Sequence, residues 1–126
     1  MTRIRTGIDL VSIPHLRELL RDGAMLDVAW TQGERDHAGD RTECLAAQWA
    51  AKEAVMKVLG KGIGDLSPRD IEVCGTPGKA PTIRLRGPAR EAARHAGVVD
   101  ISVSVTHEDD WAAAVAVALV EEEPDE

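Results

Sequence analysis

Three places in this sequence carry residue types whose spacing could do chemistry. Asp9, in Gly7-Ile8-Asp9-Leu10, sits near the end of a strand-like segment beside a flexible glycine. A carboxylate so placed suits a metal ligand, but taken alone it is more often an exposed acid that stops a strand or caps a neighbour. Trp49, Glu53 and Lys57 are four apart, so they share one face of a helix. A carboxylate and an ammonium on one face can hold a divalent cation and a phosphate side by side. The cation takes hard oxygen ligands, some of them from substrate phosphate, and the lysine meets phosphate as a point charge. The same spacing also describes an exposed ion pair that only stabilises a helix, by about 0.3–0.5 kcal/mol. His107 closes an alternating segment on its apolar side, where core imidazoles are common. The loop Gly60-Lys61-Gly62-Ile63-Gly64 could bring backbone close to a phosphate. It lacks both the lysine-serine ending of a P-loop and the dinucleotide fingerprint.

Other chemistries find no support. There is no GxSxG elbow, no HExxH helix and no EF-hand loop. Cys44 and Cys74 are far apart and form no metal-binding pattern, which fits two reduced thiols. Five of the 22 acidic residues fall within 121–126, leaving 17 against 15 basic residues and a net charge of -7 for the whole sequence. With no basic block, and with Trp30, Trp49 and Trp111 as the only large aromatics, nucleic-acid binding is not expected. No leader pattern opens the sequence and no apolar run could span a bilayer, so a cytoplasmic location is expected.

The elements that must position these residues can be read from periodicity. The length of 126 residues suits one domain, here 1–120, followed by an acidic tail, 121–126, expected to be solvated. Ile4 to Val11 reads as a strand with Ile4, Thr6, Ile8 and Leu10 on its apolar face and Arg5, Gly7 and Asp9 opposite. Ser12 and Pro14 start a helix with Leu16, Leu19 and Leu20 as its stripe. A long helix runs from about Thr42, its expected cap, to Leu59, and Gly60 stops it. Asp70 to Cys74 and Thr82 to Leu85 form a hairpin across a turn-rich segment. Pro88 to Ala96 is a short helix. Ile101 to His107 is a strand, and Trp111 to Val120 reads as a strand buried on both faces. Strand, helices, then mostly strands is the order of an α+β fold.

Taken in order, these segments resemble the holo-[acyl-carrier-protein] synthases, the small 4'-phosphopantetheinyl transferases. The matching pieces are Gly7-Ile8-Asp9-Leu10-Val11 with Ile13, Trp49-Ala50-Ala51-Lys52-Glu53-Ala54-Val55-Met56-Lys57, and Leu59-Gly60-Lys61-Gly62-Ile63-Gly64. Asp70-Ile71-Glu72-Val73, Gly78-Lys79, Ser102-Val103-Ser104-Val105-Thr106-His107 and Ala112-Ala113-Ala114 follow. The resemblance implies that family's fold, a mainly antiparallel sheet packed on a long helix. It implies transfer of 4'-phosphopantetheine from coenzyme A to a serine of an apo acyl carrier protein, releasing 3',5'-ADP. Asp9 and Glu53 would hold magnesium. Lys57 and His107 would contact the diphosphate, and Lys61, Gly62 and Lys79 would lie near the nucleotide.

Further implications are a homotrimer with active sites between subunits, and a fatty-acid or polyketide carrier docking on the first helix through Arg17 and Arg21. The serine proton would pass to Glu53 or to water beside it. This sequence departs from the family pattern at His15, where an Arg that helps to hold the carrier is usual, and at Gln48-Trp49, where Arg-Phe is common. Lys61 stands for a common Thr, and Ala80 separates Lys79 from Pro81. Two other readings stay open: a degenerate relative that only binds carriers, and a different magnesium enzyme that cleaves diphosphates.

Overall fold

The computed structural model describes residues 1–76 and 78–122. Its elements are β1 (Thr2–Ser12), α1 (Ile13–Leu19), α2 (Ala24–Ala29), α3 (Gln32–Ala38) and α4 (Thr42–Leu59). After a single 3-10 turn at Pro68–Asp70 come β2 (Ile71–Cys74), β3 (Thr82–Leu85), α5 (Gly87–His95), β4 (Val98–Glu108) and β5 (Trp111–Glu121). β1, β5 and β4 form an antiparallel sheet in that spatial order, and β2 with β3 forms a separate hairpin. α4 packs on β1 and β5 and, less extensively, on β4. The α+β class and the antiparallel sheet on one long helix are as expected.

The ends of α4 show which local signals mattered. Gly60 closes it at φ +69°, a left-handed conformation that costs glycine little. At the other end Thr42 is the first helical residue rather than the cap. Arg41 takes the cap position and makes no capping bond with its side chain. Ser12 does cap α1, accepting a hydrogen bond from the His15 N–H at 3.3 Å. α3 was not anticipated, although its signature is in the sequence. Thr31 and Glu34 form a reciprocal capping box, with the Thr31 N–H donating to Glu34 Oε1 at 2.8 Å and the Glu34 N–H donating to Thr31 Oγ1 at 3.2 Å.

Two expectations about the sheet are overturned. Ile4, Ile8 and Leu10 do not face the core; they are 67%, 68% and 61% exposed. It is the Gly7, Asp9 and Val11 side of β1 that meets α4. β5 is likewise covered on one face only. Ala112, Ala114, Ala116 and Ala118 are buried, while Val115, Val117 and Leu119 stay 37–41% exposed. The reason is the closeness of the helix. A Cβ built on Gly7 would lie 2.1 Å from the Ala54 carbonyl oxygen. Only a glycine on β1 and alanines on β5, facing Ala50, Ala51 and Ala54 of α4, leave room for that approach.

The expected tail begins too early. Glu121 is the last residue of β5, and Glu122 pairs with Arg3 at 3.1 Å and accepts from the Met1 amine at 2.8 Å. Residues 123–126 lie outside those described.

Gly7→Ala is expected to destabilise the fold by on the order of 3 kcal/mol, measured by urea unfolding. An unchanged midpoint would show that α4 is free to move away from β1.

Candidate active site

Gly7 lets α4 down onto β1, and two residues later the same strand face presents Asp9. Lys57, in the last turn of α4, reaches across to it. Its Nζ donates to the Ile8 carbonyl oxygen at 2.6 Å and lies 3.5 Å from Asp9 Oδ1. Glu53, one turn earlier on the same helix face, is half-buried. Its Oε1 is buried and has no hydrogen-bond partner among the described residues. Burial pushes the Glu53 carboxyl above its ordinary value; the negative charge of Asp9 adds to this, and Lys57 works against it. Asp9, Glu53 and Lys57, remote in sequence, thus form one group at the β1 edge of the sheet.

This group can hold a hard cation. It offers carboxylate oxygens from two elements, and the orphaned Glu53 Oε1 is a buried acceptor in need of a positive partner. Among the described residues no cluster of three or more His, Cys, Asp and Glu side chains could enclose a metal alone. Two carboxylates that leave most coordination positions to water and substrate oxygens suit magnesium rather than a structural zinc.

The remaining expected residues lie elsewhere. His107 is exposed on β4, level with Ala112 of β5 and so with Val11 of β1. It shares the helix-facing side of the sheet with Asp9 but is two strands away. Lys61 follows Gly60, and its backbone N–H donates to the Met56 carbonyl at 3.1 Å. The Gly62 N–H points at Asp65 Oδ2 at 3.4 Å, so Asp65 already competes for it as a phosphate donor. Lys79 borders a cleft of about 340 Å³ at the β4 edge, together with His37, Arg41, Gln48 and Val105. Among the described residues that cleft has three basic side chains in its wall and no acidic one. Sequence reading missed His37 and Arg41 there, because the end of α3, the turn after it and the hairpin meet only in the folded chain.

On α1, His15 and Arg17 are exposed, as a docking face requires. Arg21 does not share their helix. α1 ends at Leu19, and Arg21 lies in the following turn, paired with Glu18 at 2.8 Å. The assumed four-residue helical spacing fails because Asp22-Gly23 follows and Gly23 turns at φ +78°.

Lys52, beside Glu53, points the opposite way and is completely buried. Its Nζ donates to Glu34 Oε1 at 2.7 Å and to the Pro68 and Ile71 carbonyls at 2.8 Å each, which uses all three ammonium protons. Glu34 Oε2 accepts from the Val73 N–H at 2.7 Å, and Gln48 Nε2 donates to the Glu34 carbonyl at 3.0 Å. Burial pushes the Lys52 pKa down, against the pull of Glu34. This buried pair ties α4 to α3 and β2 and fixes which residues of α4 face β1.

Residues 5–116 match the 4'-phosphopantetheinyl transferase superfamily. The chain is 43% identical over 129 residues to the holo-[acyl-carrier-protein] synthase of Mycolicibacterium smegmatis, covering 93% of this chain and 97% of that protein. It is 38% identical over 118 residues to the enzyme of the same name from Desulforudis audaxviator, covering 90% of each. The chain belongs to the holo-[acyl-carrier-protein] synthase family. Solved members of the family share its fold. The apo-ACPS structure from Chronobacterium ammoiniagenes superposes with a TM-score of 0.85 at 31% identity, covering 97% of this chain and all of that one. The Helicobacter pylori synthase in complex with coenzyme A gives 0.80 at 31% identity, covering 90% and 99%.

Glu53 holds its proton more tightly folded than unfolded. Its ionisation therefore opposes folding as the pH rises past the ordinary glutamate value of 4.5. Glu53→Gln is expected to gain stability over the unaltered synthase as the pH is raised from about 4 to about 8, seen as a widening gap in urea midpoints. A gap that stayed constant would mean that the carboxylate is not strained by its surroundings.

Proposed function

We propose that this synthase moves 4'-phosphopantetheine from coenzyme A to a serine hydroxyl of an apo acyl carrier protein, with Asp9 and Glu53 holding magnesium and 3',5'-ADP leaving. The observation that carries this reading is the convergence of Asp9, Glu53 and Lys57 from two remote segments at one edge of the sheet. A bound magnesium ion would supply charge neutralisation at the diphosphate. Lys57 would meet the same oxygens from the helix side. The serine proton would pass to Glu53 or to water beside it. Most of the rate would come from positioning and charge stabilisation, as in other phosphoryl transfers.

The second part of the proposal is a homotrimer whose sites lie between subunits. The acid group sits at the β1 edge, and the basic cleft with Lys79, as well as His107, at the β4 edge. The sheet width between them is about 10 Å, with α4 lying over part of it. The outer face of the sheet presents Ile4, Ile8, Leu10, Val115, Val117 and Leu119 to solvent, a contiguous apolar surface of the kind that protein contacts cover. A neighbouring copy seated there would bring its cleft toward this chain's acid pair. The carrier, acidic and from fatty-acid or polyketide synthesis, would dock on His15 and Arg17 of α1 with Arg21 in the turn beyond. A cytoplasmic location is consistent with Cys44 and Cys74 as free thiols, and among the described residues no helix is long and apolar enough to cross a membrane.

Incubation with apo carrier, coenzyme A and magnesium is expected to add one phosphopantetheine to the carrier by mass. Asp9→Ala and Glu53→Ala should each slow this about a hundred-fold or more while staying folded. Full-rate modification by both variants, or by the unaltered chain under thorough chelation, would overturn the acid-pair mechanism. Carrier binding without any mass shift would favour a non-catalytic relative, and 3',5'-ADP released without carrier would favour another diphosphate-cleaving enzyme. Separately, Val117→Glu is expected to leave a folded monomer by sedimentation, with little transferase activity. An active monomer would remove the shared site.

A further inference from the structure

Among the described residues Lys57 has two partners, and both are on β1: the Ile8 carbonyl at 2.6 Å and Asp9 Oδ1 at 3.5 Å. Its side chain is 53% exposed and that of Asp9 20% exposed, so the contact is at the mouth of the site rather than in the core. A four-carbon stem with a freely rotating ammonium can leave such a contact at small cost. Next to it, Glu53 Oε1 has no hydrogen-bond partner among the described residues. Two carboxylates so placed carry more negative charge than the site neutralises by hydrogen bonds, and Lys57 is the cation in contact with one of them. A divalent ion at the acid pair would be repelled by an ammonium held this close to Asp9. A diphosphate would offer that ammonium a stronger partner than a carbonyl and one carboxylate oxygen.

We propose that Lys57 is a resident counter-cation of the acid pair. It holds Asp9 while the divalent ion is absent and gives way to the ion by moving onto the diphosphate. Metal and nucleotide then bind as a coupled pair, each more tightly in the presence of the other, as linkage requires. The inference rests on reading Asp9 and Glu53 as metal ligands. It adds a property that a simple phosphate contact lacks: Lys57 weakens metal binding when no nucleotide is present.

The test is direct titration with Mn²⁺, followed by the electron paramagnetic resonance of the free ion, on the intact protein without coenzyme A and with it. Lys57→Met is expected to bind Mn²⁺ about ten-fold more tightly than the unaltered chain without coenzyme A. The tightening that coenzyme A produces should shrink in the variant, and Lys57→Arg should behave like the unaltered chain. Circular dichroism and urea midpoints establish that each variant is folded. Equal or weaker Mn²⁺ binding by folded Lys57→Met, with binding still lost in Asp9→Ala, would overturn the counter-cation and leave the metal pair intact. No Mn²⁺ binding by any of them, even with coenzyme A, would overturn the metal pair and this inference with it.

Discussion

The Ala54 carbonyl of α4 lies directly against Gly7 of β1, where even a methyl group would not fit. The chemistry at the sheet edge follows from that contact. Glycine on β1 and alanines on β5 and α4 let a helix backbone settle on strand backbones with little side chain between them. Asp9 is then carried beneath the turn that bears Glu53 and Lys57. A larger residue at position 7 would lift the helix and open the 2.6 Å bond between Lys57 and the Ile8 carbonyl. The same packing explains where the bulky side chains went. With the small ones facing the helix, Ile4 and Ile8 of β1 and Val115 and Val117 of β5 are left on the opposite face.

The other side of α4 is set by charge rather than by size. Lys52 and Glu34 are buried together, and every ammonium proton has an acceptor. Removing one member of such a pair strands the other in a low-dielectric interior, which typically costs about 3–5 kcal/mol. The alternatives for α4, rotation by one residue or sliding by a turn, would strand it in the same way. Lys52 and Glu53, adjacent in sequence, thus have different surroundings: one fixes the helix through its buried partners, and the other is raised in pKa and, among the described residues, has an unpartnered Oε1.

Periodicity is informative within single elements and stops being so where elements meet. The hairpin of β2 and β3, the span of α4 and its glycine stop, the long strands β4 and β5 and the α+β class were all legible, since each depends on local alternation or turn chemistry. α2 and α3 were not, being short and without a sustained apolar stripe; for α3 the threonine-to-glutamate capping box was the available signal. The face of β1 was misread because Ile4, Ile8 and Leu10 alternate as a core strand would, and alternation says only that two faces differ. Arg17 and Arg21 were read as one helix face because four-residue spacing presumes a helix that Gly23 and the preceding turn end early.

By itself, the sequence determined which residues could do chemistry. An aspartate after a glycine, a glutamate and a lysine one helical turn apart, and the ordered family segments around them are local facts of composition and spacing. Tertiary structure decided which of them meet. It brought Asp9 to Glu53 and Lys57, left His107 and Lys79 at the opposite edge of the sheet, and added His37 and Arg41 to the cleft beside Lys79. It also turned Lys52 inward. Spacing along a chain fixes direction only within one helix or strand; whether two such elements can touch depends on the size of the side chains between them and on the buried charges that must find partners.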